Sequence, residues 1–113
     1  MACKASLKFN KLSNKNATYL NSDAISHLWK CAKQGEVFDV IIADPPREGM
    51  YEHIIPISII SPSLLIYISC DPITLARDIG ALIKKGFTFE SILAFDFFPQ
   101  TYHIETVVTL KNI

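Results

Sequence analysis

Two runs of branched and aromatic apolar residues, Phe38 to Ala43 (FDVIIA) and Leu64 to Ser69 (LLIYIS), leave this chain few folds to choose from. Neither run alternates with polar residues, which is the pattern of strands buried on both faces in a parallel sheet flanked by helices. The segments around them have helical spacing. Asn21-Ser22-Asp23 offers an N-cap to a helix from Ala24 to Ala32, ended by Gln34-Gly35. A helical turn or two is expected from Met50 to Ile55. Asp71 as cap and Pro72 at the first helical position open a further helix, whose buried stripe is Leu75, Ile79, Leu82 and Ile83 and which stops at Lys85-Gly86.

Ala2, Ala5, Phe9 and Leu12 fall on one face of an expected amphipathic helix, with Lys4, Lys8, Lys11 and Lys15 on the adjacent face. That lysine stripe is more often a solvated face than an RNA patch. Ala17 to Leu20 can form a short strand. Phe87 to Phe97 and Ile104 to Leu110 read as two strands joined around Pro99-Gln100-Thr101, and so short a link favours antiparallel pairing. Alternating helices and strands with such an end give an α/β fold.

The chain has 113 residues, half of them hydrophobic, which suits one domain over residues 1–113. Eleven basic against eleven acidic residues leave zero net charge, so there is no global field to hold a polyanion, and nucleic-acid binding would need a local patch or a shaped pocket. Cys3, Cys31 and Cys70 cannot all pair and show no metal-ligand spacing, which fits a reducing compartment. No export signal is visible, and the longest apolar stretch, Ile54 to Ile68, is interrupted by prolines and serines and is too short to span a bilayer. A cytoplasmic location, with neither membrane nor metal as partner, is the expectation.

In an open α/β sheet, ligands bind beyond the carboxyl ends of the strands. Asp44-Pro45-Pro46-Arg47 and Ser69-Cys70-Asp71-Pro72 occupy that position on consecutive strands. The double proline stiffens the first loop, so Asp44 can face a ligand at low ordering cost; the alternative is a solvated Asp. Cys70 precedes a helix N-terminus, a setting that suits a nucleophilic thiolate. It also fits a small buried thiol, and the residues alone leave both readings open.

The strings FDVIIADPPREG, YISCDPITLARDIGAL and FFPQTYHIETVVTL resemble, in order, the C-terminal motifs of the RNA uracil-5-methyltransferases, S-adenosylmethionine-dependent enzymes that form 5-methyluridine in tRNA or 23S rRNA. ASLKFNKLSNKNATYLNSDA is similar to the family's segment after the second core strand, so the likeness covers most of the chain. It implies that Cys70 adds to carbon 6 of the target uracil, making carbon 5 nucleophilic. It implies that Glu105 is the base that removes the carbon 5 proton. Asp44 matches an acid assigned to the cofactor, and Asp23 one placed near its adenosine. Each has a plainer alternative: Asp23 could only cap its helix, and Glu105 could be a solvent-facing strand residue. Arg47 would order the loop or contact RNA phosphate, and His103 would anchor the turn. His27 and His53 show no partner pattern. Methyltransferases with a [DN]PP-aromatic loop, in which an exocyclic amine attacks directly, are a weaker match, because Arg47 replaces the stacking aromatic and a cysteine follows on the next strand.

The family's core opens with a strand, a Gly-rich turn and a second strand ending in an acid. None of these is recognisable here, and Gly35, Gly49, Gly80 and Gly86 form no GxG. Ser22 stands where Gly is frequent before the acid, and Asp71 where Asn is common after the nucleophile. The expectation is an incomplete Rossmann-like class I methyltransferase sheet, mostly parallel with an antiparallel C-terminal hairpin and without the first two core strands. Because those strands lie between the third and fourth, Ala17 to Leu20 should pair directly with Phe38 to Ala43 or hang loosely, leaving an exposed edge. Two functions follow. One is a catalytic portion that needs a complementary N-terminal fragment for its cofactor; the other is a folded remnant that binds only RNA or a partner protein.

Overall fold

A computed structural model describes residues 17–96 and 104–112. The elements run α1 (Ala24–Gln34), β1 (Val40–Ala43), a 3-10 turn (Tyr51–His53) continuing into α2 (Ile54–Ile60), β2 (Leu64–Ser69), α3 (Pro72–Lys84), β3 (Thr88–Phe95) and β4 (Glu105–Lys111). The expected helix over residues 2–12 and the turn at residues 99–101 lie outside the described residues.

The four strands form one sheet in the order β1-β2-β4-β3. β1 and β2 are parallel, and β4 is antiparallel to both of its neighbours, β2 and β3. Three strands therefore run one way and β4 alone runs the other, in agreement with the α/β class and the antiparallel C-terminal hairpin. The hairpin is not a simple terminal addition, because β4 inserts between β2 and β3. A bulge at Glu90 breaks the β3 register between Phe89 and Ser91, and Glu90 is ion-paired to Lys111 at 2.6 Å.

The local causes are those expected of the sequence. α1 ends at Gly35, whose φ of 67° is the left-handed conformation that lets the amide turn back to the Ala32 carbonyl. α3 begins at Pro72 with Asp71 as cap and ends at Lys85. α2 reaches further than expected because Pro56 lies in its first turn, where a missing N–H leaves no intrahelical bond unmade.

All three helices pack against one face of the sheet. Leu65, Tyr67, Val108 and Leu110 of that face meet Met50, Ile54, Ile57, Leu75, Leu82 and Phe87, with Leu28, Ile41 and Ala43 at the margin. The register places Val40, Ile42, Leu64, Ile66, Ile68, Leu93 and Val107 on the opposite face. There Ile42 is 65% exposed, and Val40 and Leu93 are exposed as well. The reading of FDVIIA as buried on both faces is thus corrected: among the described residues one face of β1 is bare.

Of the two outcomes expected for residues 17–20, pairing with β1 or standing apart from the sheet, the second is observed, and the short strand is not formed. These residues pair with nothing in the sheet, and Leu20 is exposed. Four residues gain too little from their own propensity to hold an extended conformation without a ladder partner. β1 is consequently an edge strand, as expected. Its four residues, VIIA, carry none of the charges that usually blunt an edge. Ile83 is also exposed, and Asp78 takes a buried place on α3 instead.

Candidate functional site

The two loops singled out by sequence leave the carboxyl ends of adjacent parallel strands, β1 and β2, so they share one end of the sheet. Cys70 sits between β2 and α3 and is partly buried. The residues on either side hold its turn: the Asp71 N–H donates to Ser69 Oγ at 3.0 Å, and Ser69 Oγ donates to the Asp71 carbonyl at 2.9 Å. Asp71 Oδ1 accepts the Ile73 N–H at 2.9 Å, capping the helix that follows. Cys70 is therefore fixed by bonds that do not use its own sulfur.

Glu105 reaches the same place from the far end of the chain. The β2–β4 ladder ends at the Ser69–Thr106 pair, and Cys70 and Glu105 each lie one residue beyond it on their own segment. The insertion of β4 beside β2 thus puts the start of β4, Glu105, at the end of the sheet where β2 gives way to the Cys70 turn.

Asp44 is exposed at the end of β1. It borders an open cavity of about 450 Å³ with Pro45, Pro46, Ile41, His53 and the first turns of α1. Asp23 stands at the N-cap position of α1, yet its side chain caps no backbone amide; Asp23 Oδ2 accepts Ser26 Oγ at 3.0 Å. Its carboxylate is exposed, and although the next residue, Ala24, lines the cavity, Asp23 itself is not among the lining residues. Of the four expected site residues Asp44 lines this hollow, while Asp23, Cys70 and Glu105 lie outside its lining. The lining suits one side of a nucleoside-bearing ligand, with the Asp44 carboxylate as an acceptor for hydroxyl groups and a rigid proline floor. No Gly-rich turn borders it among the described residues.

The sequence reading missed the residues that join the loops. Thr74 Oγ1 donates to the Arg47 carbonyl at 2.9 Å, and Arg77 Nη2 donates to the Glu48 carbonyl at 2.9 Å. Asp78 is fully buried; its Oδ2 accepts the Met50 N–H at 2.8 Å and the Tyr67 hydroxyl at 2.6 Å, and its Oδ1 is paired to Arg77 at 3.0 Å. Burial, reinforced by the bond to Asp78, pushes the Tyr67 hydroxyl well above the usual tyrosine range. A signal existed: Asp78 falls three residues after Leu75 and four before Leu82, on the apolar stripe, where an acid must be paired. His27 Nε2 lies 3.4 Å from Cys31 Sγ, a contact that the sequence did not suggest.

Comparison with known proteins gives the lineage. The family model for tRNA (uracil-5-)-methyltransferase matches residues 9–113. A Thermotoga maritima protein named as an uncharacterized RNA methyltransferase is 41% identical over 96% of this chain and 24% of its own length. A 23S rRNA (uracil(1939)-C(5))-methyltransferase from Colwellia psychrerythraea is 39% identical over 86% of this chain and 21% of its own. The structure of a Pyrococcus abyssi tRNA (uracil-54, C5)-methyltransferase in complex with S-adenosyl-L-homocysteine superposes with a TM-score of 0.67 at 25% identity, covering 96% of this chain and 25% of that one. The structure of M1.HpyAVI, at 17% identity and a TM-score of 0.67 over 83% of this chain and 54% of its own, shares the fold. The chain spans about a quarter of the length of the curated relatives it matches. With the match running from residue 9 to the last residue, the chain belongs to the tRNA (uracil-5-)-methyltransferase family.

Proposed function

We propose that residues 1–113 are a C-terminal catalytic portion of an RNA uracil-5-methyltransferase that acts on tRNA or 23S rRNA in the cytoplasm with S-adenosylmethionine. The observation that supports this reading is the sheet order: the Asp44 loop and the Cys70 turn leave the carboxyl ends of adjacent strands, and β4, which starts at Glu105, pairs with β2 as far as Ser69–Thr106. When bound, the cofactor supplies an electrophilic methyl group on a sulfonium, and Asp44 and Asp23 are the residues that would hold it.

The protein's own residues then do the following. Cys70 Sγ forms a bond to carbon 6 of uracil, and the π pair of the ring moves to carbon 5, conjugated with the carbon 4 carbonyl. That carbon is now nucleophilic enough to take a methyl group, which an unactivated pyrimidine is not. Glu105 removes the carbon 5 proton, the double bond re-forms and Sγ leaves as thiolate, restoring the free enzyme. Positions just beyond the last pair of two neighbouring strands suit this division of labour, since both groups must reach one ring.

The cofactor half-site is open, and for this reason the reading includes a complementary N-terminal fragment that carries the Gly-rich turn. The test is an RNA with 5-fluorouracil at its uridines, mixed with S-adenosylmethionine and this chain, with and without the upstream portion of a relative. Fluorine cannot be removed by the base, so a methylated covalent adduct persists and adds the mass of the RNA to the chain. The adduct is expected with the upstream portion, and Cys70→Ala removes it. No adduct under either condition, in folded protein, favours instead a remnant that binds RNA or a partner without turnover.

A further inference from the structure

The clamp between α3 and the loop after β1 uses a buried carboxylate where an apolar side chain would pack at lower cost. Placing a charge away from water is unfavourable unless every lone pair is met. Asp78 meets this demand with the Tyr67 hydroxyl, the Met50 N–H and Arg77, while Arg77 in turn holds the Glu48 carbonyl and lies over the Tyr51 ring at 5.1 Å. The bonds reach the strand that leads into Cys70, the helix that leaves it, and the loop that carries Asp44. Gly49 shows how closely the loop approaches: a Cβ there would lie 2.5 Å from Asp78 Oδ2 and 2.8 Å from Arg77 Nη2. Between Asp44 and the clamped residues stand Pro45 and Pro46, each with φ fixed by its ring, so a constraint at Glu48 to Met50 is passed back to Asp44.

We propose that Asp78 and Arg77 are positioning residues that set the Asp44 loop relative to the Cys70 turn. The function proposed above supplies only the identity of what the two loops hold. A side chain that merely stabilised the fold would loosen everything together when altered, whereas this pair should loosen the loop and spare the sheet.

The experiment is amide hydrogen exchange by NMR on the full chain, with Asp78→Asn and the milder Arg77→Met, together with calorimetric titration of S-adenosylhomocysteine. Asp78→Asn keeps the volume and removes the charge; Arg77→Met keeps Asp78 and its bonds to Tyr67 and Met50. The expected result is that the Gly49 and Met50 amides exchange at least about tenfold faster in Asp78→Asn, the order expected on weakening a hydrogen bond to a charged group. Arg77→Met shows a smaller change at the same amides, and in both variants Leu65 and Val108 change less than about twofold. Binding of S-adenosylhomocysteine weakens in parallel with the loop. If Arg77→Met and every folded form of Asp78→Asn speed loop and core amides equally, or leave both unchanged, the proposal is overturned. It is overturned also if the loop loosens with affinity intact. Absence of binding in the unmodified chain with the exchange contrast present refutes the proposed cofactor site and leaves the positioning of the loop standing.

Discussion

Replacing Gly49 by alanine tests the loop geometry at its tightest point. Gly49 has φ of 83°, a conformation that costs an L-residue about 1–2 kcal/mol. The added methyl would lie 2.5 Å from Asp78 Oδ2 and 3.2 Å from Thr74 Cβ, too close for either to remain in place. Moving the loop outward breaks the Met50 N–H bond to the Asp78 carboxylate, and a hydrogen bond to a charged group contributes about 1.5–3 kcal/mol. The two terms together give a loss of about 2.5–5 kcal/mol, a large part of the roughly 5–15 kcal/mol that holds an ordinary domain. In urea this lowers the midpoint by roughly 2 M for a domain of this size. Gly80→Ala is the control, because Gly80 is helical and a Cβ added there would meet nothing within 4 Å. That substitution should stabilise by up to about 1 kcal/mol through helix propensity. Equal midpoints for the two variants, or a loss below about 1 kcal/mol at Gly49, would refute the close approach of loop and carboxylate.

Three further outcomes are expected. Asp71→Ala removes the cap on the Ile73 N–H and should lower stability by about 0.5–2 kcal/mol, read by chemical denaturation, while Asp71→Asn keeps most of it. Tyr67 holds its proton more tightly when folded, so its contribution is complete below the unfolded value near pH 10 and is lost as pH rises through the higher folded value; the thermal midpoint of the unmodified chain should fall between pH 10 and 11.5 more steeply than that of Tyr67→Phe, and parallel curves would contradict this. Burial, aided by Glu36, pushes the Cys31 thiol up, so mapped alkylation at pH 8.5 should label Cys31 at least about tenfold more slowly than Cys31 in the denatured chain.

Legibility in the sequence followed the strength of local signals. β2 and α3 could be bounded to the residue because Pro62-Ser63, Asp71-Pro72 and Lys85-Gly86 punctuate them chemically. Residues 17–20 could not, because a strand of that length exists only through its ladder, and a ladder partner is not a local property. FDVIIA records a demand for burial that the described helices meet on one face only. Motifs suffice to propose Cys70, Asp44, Asp23 and Glu105, but the arrival of the Glu105 end of β4 beside the end of β2 depends on β4 entering between β2 and β3, which hairpin-like spacing does not reveal. Asp78 escaped for the opposite reason: a charged residue on a helix is ordinarily read as solvated, and only its phase relative to Leu75 and Leu82 showed otherwise.

The insertion of β4 also governs how the sheet can be assembled in time. Among the described residues β3 has no neighbour in the sheet other than β4, and β4 is synthesised after it. Until β4 arrives, β3 has no ladder to join, and the Leu65 and Tyr67 side of β2 lacks Leu110 and Val108 beside it. The β2–β4 pairing closes over the whole of α3 and β3, a loop whose entropy must be met before any of its hydrogen bonds form. Completion of the fold is therefore one late event, and a substitution in β4 acts on two strand interfaces at once.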